Sequence, residues 1–187
     1  MFLLSASLFI SGLILSVFVV KKQIRFLCWY PEWIWKKLKE FLSRQPGYFK
    51  IFLLIFLLNA SSSFFNLISG FAVVLPIIFA ILIGMNVGII GYQEGGMKAL
   101  FLMFFAPHAI FELPAAWLSI AFGIRLGWEI ITPNPNIGWV FYKSLFLYLS
   151  VILPLLFIAA LLESTFVYFA IKKSQHTASF PQEPFDA

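Results

Sequence analysis

Long apolar runs with few charges leave this chain one class of fold. Of its 187 residues, 61% are hydrophobic and 11% are charged, where a soluble domain averages about 25% charged. A run of about 20 apolar residues crosses the hydrocarbon core as a helix, so the length allows about five spans and no sizeable soluble domain. The expectation is an all-α, polytopic transmembrane helix bundle forming a single domain over 1–171, with a disordered cytoplasmic tail over 172–187. The spans read as 2–20, 49–69, 71–92, 98–122 and 143–171. The first run lacks a basic leader segment, is long, and is followed at once by KKQIR, so it reads as a retained helix rather than a signal peptide.

Charge sets the orientation. Lys21, Lys22, Arg25, Lys36, Lys37, Lys39, Arg44 and Lys50 lie between the first two spans. The positive-inside rule makes that loop cytoplasmic, which places the N-terminus outside and the C-terminus inside the cell membrane. The net charge of +5 then fits anionic lipid rather than nucleic acid. Within the loop, residues 29–45 read as an interfacial amphipathic helix with Pro31 at its start. Ile34, Trp35, Leu38, Phe41 and Leu42 share one face, and Lys36, Lys39, Glu40 and Arg44 the other. Membrane anchoring explains such a helix, and so does docking of a cytoplasmic partner. The segment 123–142, with Trp128, Trp139, Tyr142 and its Asn-Pro repeats, reads as an outer loop at the aromatic belt. Cys28 is the sole cysteine, which excludes an intrachain disulfide and a multi-cysteine metal site.

Polar residues inside the spans need partners or a wet cavity. Asn59, Ser62, Ser63 and Asn66 fall on one face of the second span, and Asn86 lies on the third. His108 and Glu112 are four apart, hence on one face of the fourth, and Glu163 lies in the fifth. Counting about 1.5 Å per residue from the nearest flanking charge, Asn59, Asn86, His108 and Glu163 all lie about 12–15 Å deep. Glu112 lies one turn further out. One buried polar cluster is the expectation. Pro107 and Pro114 bracket it; each removes a helix hydrogen bond, freeing the carbonyls of Met103 and Ile110. The fourth span is therefore expected to be broken at Ala106-Pro107, with a helix N-terminus at cluster depth that can stabilise a carboxylate.

Three chemistries fit the cluster. His108 can bond to the glutamates and lock the helices together. One imidazole and two carboxylates can hold a divalent metal such as zinc, with water completing the shell. The same groups can carry a proton or ion. The sequence has no H-E-x-x-H, no second histidine within a span and no G-x-S-x-G, which disfavours an intramembrane protease. Gly84, Gly88, Gly91 and Gly95 make one flat face on the third span, open to close packing by a helix of this chain or of a second copy in a homo-oligomer. Gly123 and Gly127 repeat the spacing.

Four pieces carry a family resemblance: Asn59 with the polar run after it and Gly70, IGMNVGIIG, APHAIFELPAAWLSIAFGIRLG, and IAALLESTFVY. Over residues 50–171 the chain resembles the stage II sporulation protein M family. Ala109 and Ala60 stand where members often carry glycine and a second asparagine. The resemblance implies a polytopic membrane protein. In spore-forming bacteria the founding member works with two peptidoglycan-degrading enzymes during engulfment, and similar proteins occur where there is no engulfment. The expectation that follows is a non-enzymatic scaffold in the lipid bilayer that recruits membrane or envelope partner proteins. A transporter or channel-like protein, binding a proton, ion or metal at the His/Glu cluster, is the alternative.

Overall fold

The computed structural model describes residues 1–178, with side chains to residue 173. Among the described residues every regular element is helical: α1 Phe2–Lys21, α2 Arg25–Ser43, α3 Tyr48–Ile68, α4 Leu75–Leu102, α5 Ala109–Ile131, α6 Ile137–Leu147 and α7 Leu153–Ala178. Short 3₁₀ turns follow α3 and α4, and a π-helical turn over Tyr148–Ile152 joins α6 to α7. Among the described residues, five segments are long and apolar enough to cross a membrane. Their outward surfaces are apolar: Leu3 is 81% exposed, Ile14 65% and Ile110 66%. Such surfaces suit lipid and not water.

Close backbone contacts build the bundle. Gly12 of α1 sits against the backbone of Ile81, and Gly84 and Gly88 of α4 sit against Phe9 and Ser16. Small residues on both helices bring the backbones together, so dispersion contacts run the length of the crossing. The two helices are parallel, since Gly84 meets Phe9 and, one turn on, Gly88 meets Leu13 and Ser16. The partner of Gly84 and Gly88 is therefore α1 of the same chain, while Gly95 meets Ala99 of its own helix. Gly91 packs on Leu100 and Met103 of its own chain, 3.3 and 3.2 Å from a Cβ placed there.

A second group forms around α5. Gly123 meets the Asn66 carbonyl, and Gly127 lies against Val73. α7 runs antiparallel to α3: Tyr148 Oη donates to the Ala60 carbonyl at 2.8 Å, and Tyr48 meets Tyr168 at the far end. Ala60, Leu67, Ala115, Tyr148, Ile152 and Leu156 form the core of this group.

Several boundaries differ from the sequence expectation. α2 begins at Arg25, so Pro31 lies inside the helix rather than at its start. The reason is the tight turn after α1, where Gln23 takes φ 51° and the chain re-enters a helix at once. α4 has no loop after residue 92; instead it breaks sharply at Gly95 and Gly96, where Gly96 has φ 63° and ψ −153°. That conformation is open essentially to glycine alone. The supposed outer loop 123–142 shrinks to residues 132–136, because α5 continues to Ile131 and α6 starts at Ile137. Contacts of Gly123 and Gly127 hold that extra length of α5 in place. The expected tail is helical over 172–178; the rest of it lies outside the described residues.

Candidate functional site

α4, a 3₁₀ turn and α5 shape the site. Ala106 is extended (ψ 134°), as expected for a residue preceding proline. This ends the 3₁₀ turn Met103–Phe105, and α5 restarts with His108 as its cap. The His108 carbonyl accepts from the N–H of Phe111 and of Glu112, each at 3.0 Å. Glu112 thus lies in the first turn of α5, where the helix dipole favours a negative charge. The break at Pro107 falls where the sequence placed it. The Met103 carbonyl, however, is not free, because it accepts from Ala106 N–H at 3.3 Å. Pro114 lies inside a continuous α5.

His108 Nε2 lies 4.0 Å from Glu112 Oε2, too long for a hydrogen bond. One ligand atom from each of His108, Glu112 and Glu163 lies within 4.8 Å of the others, and all three side chains are half-buried. The Asn59 side chain of α3 lies beside Glu112, and Glu112 lies beside Glu163. Three helices thus contribute to one polar centre. His108 and Glu112 also line a cavity of about 110 Å³ whose other walls are apolar, among them Phe9, Ile83, Val87, Met103 and Phe104.

Asn86 lines a different cavity. Together with Ser62 and Asn66 it borders a space of about 580 Å³ beneath Phe26, Leu27, Trp29 and Tyr30 of α2. The expected single cluster is therefore divided. Residue counting placed Asn59, Asn86, His108 and Glu163 at similar depth, but Asn86 faces a different way around its helix. On α4 the glycine face is taken by α1, and Ile83 and Val87 face His108 and Glu112. Asn86 lies about 200° around from Gly84 and so points towards α2 and α3. Ser63 is buried in α3.

A polar latch between α2 and α4 was not foreseen. Trp35 Nε1 and Lys39 Nζ both donate to Glu94 Oε1 at 2.6 Å, and Gln93 Nε2 donates to Glu32 Oε1 at 2.7 Å. The signal was the Gln93-Glu94 pair at the end of an apolar run, next to the glycine break. On the same helix, Lys37 lies 3.0 Å from Glu40 and holds its carboxyl below the usual carboxylate range. Trp117 supplies another surprise. Its ring packs edge-on against Phe2 and Phe9, its carbonyl accepts from Ser5 Oγ at 2.7 Å, and its Nε1 is buried without a partner.

The family model for stage II sporulation protein M matches residues 5–167 of the chain. No curated protein and no solved structure matches it.

Proposed function

The chain belongs to the stage II sporulation protein M family, and we propose that it works as a non-enzymatic membrane scaffold that recruits partner proteins at its basic end. By the positive-inside rule that end faces the cytoplasm. The mounting of α2 carries this reading. A helix that only rests in the interface needs no tether to the bundle. Here Glu94 holds both Trp35 and Lys39, and Gln93 holds Glu32. Lys36, Lys37 and Arg44 stay exposed. Such a helix presents a fixed cationic and aromatic surface to a partner. The test replaces Ile34, Leu38 and Phe41 with polar residues and repeats a pull-down from cross-linked membranes. Loss of partner recovery with insertion intact supports docking; unchanged recovery sinks it.

A second reading is passage of a proton or cation, supported by the proximity of His108, Glu112 and Glu163 beside a helix break. Flux into proteoliposomes that Glu163→Gln abolishes supports it. A flux indifferent to that change, or none, removes it.

A further inference from the structure

We infer that His108, Glu112 and Glu163 form an intramembrane binding site for one zinc-class divalent cation, with its open coordination position on the adjoining cavity. The first argument is charge. Two carboxylates approach each other inside the spans, and the described ion pairs bring no lysine or arginine to either. Ionised carboxylates in so apolar a setting need compensation. A divalent cation balances two carboxylates and leaves the imidazole neutral, which is the form that ligates.

Geometry is the second argument. Ligand atoms each about 2.1 Å from a tetrahedral zinc ion lie about 3.4 Å apart. The His108–Glu112 separation of 4.0 Å exceeds that by about 0.6 Å and the outer bound of 4.8 Å by about 1.4 Å, so the three side chains must close in on the ion. Rotation about glutamate χ angles supplies this without moving a helix. His108 and Glu112 rise from consecutive turns of α5, so one helix face fixes two ligands before Glu163 of α7 closes the set. Asn59 lies beside Glu112, where an amide can orient a carboxylate ligand.

Chemistry selects the ion. Magnesium and calcium demand six or more oxygen ligands, and this set offers nitrogen plus two carboxylates. Zinc accepts that mixture in a four-coordinate shell, with water in the fourth position. The 110 Å³ cavity touching His108 and Glu112 has room for that water. Its apolar walls, including Phe9, Ile83, Val87 and Phe104, keep bulk solvent from competing.

Binding does not depend on the scaffold reading, and it does not require transport. The experiment loads the full-length protein in detergent with Zn²⁺ alone, removes excess ion, and measures metal per chain. All variants carry His176→Gln, so the C-terminal histidine cannot contribute. The expected result is about one zinc per chain, with an X-ray absorption edge showing nitrogen and oxygen ligands. Binding should weaken at least tenfold in His108→Ala and in Glu163→Gln. Glu112→Gln, which keeps the amide contact with Asn59, serves if either variant misfolds. Zinc should also raise the melting temperature of the parent and not that of the variants. Absence of stoichiometric zinc, or equal zinc in parent and folded variants, overturns the inference. Zinc without Glu163-dependent flux leaves the site standing and removes only the transport reading.

Discussion

Replacing Gly84 with alanine tests the contact on which half the bundle rests. A Cβ at that position would lie 2.8 Å from the carbonyl carbon of Phe9 and 3.1 Å from its Cα, where ordinary contact begins at 3.4 Å. The Phe9 carbonyl oxygen is nearer still, so the backbones of α1 and α4 must part by about an ångström, and a gap of that size forfeits about a quarter to a half of each dispersion contact it opens. Overpacking of a tight core costs about 1–3 kcal/mol. The obstacle here is backbone, which cannot rotate aside, so the upper part of that range applies, about 2–3 kcal/mol. Denaturation of the purified protein in detergent, followed by tryptophan fluorescence, reads the loss. Ile78→Ala, on a lipid-exposed side chain, is the control. A Gly84→Ala protein within about 0.5 kcal/mol of the parent, the scatter of neutral surface changes, refutes the intrachain contact. So does a variant of normal stability that only changes oligomeric mass, because the glycine face would then serve a second copy.

Three further outcomes follow from local geometry. Gly96→Ala should lose about 1–3 kcal/mol from the φ 63°, ψ −153° conformation alone, read as a fall in melting temperature. Tyr148→Phe leaves the Ala60 carbonyl without its buried donor at 2.8 Å, a loss of about 1–2 kcal/mol read by the same denaturation. Burial first, and the Glu32 charge second, push the Cys28 thiol above its ordinary value. Because the thiolate is the reactive form, maleimide labelling should lag behind a free thiol until the pH passes the raised value, and Glu32→Gln should hasten it; equal rates argue against that environment.

The stage II sporulation protein M likeness was readable from His108, Glu112, Pro114 and Glu163 because those residues stand in apolar sequence where little else is polar. The helix break at Pro107 was readable for a local reason: a proline constrains the residue before it. The position of Asn86 was not. Counting residues yields depth, at a fixed rise per residue, but the direction a side chain faces depends on which neighbour covers each side of its helix. The same gap explains the glycine face, whose pattern announced close packing without naming α1, and the latch at Glu94, which joins residues far apart in the chain.

Composition and hydrophobic run length alone determined that this chain is a membrane helix bundle, since apolar residues spaced this densely have no aqueous fold. Local rules also determined the helical pairing of His108 with Glu112. Tertiary structure decided that α1 covers Gly84 and Gly88 and that Asn59, rather than Asn86, lies beside Glu112. It also decided that Glu163 lies beside His108 and Glu112. Each of these is a contact between helices, and its free energy depends on shape matching along both partners, which no single stretch of sequence contains.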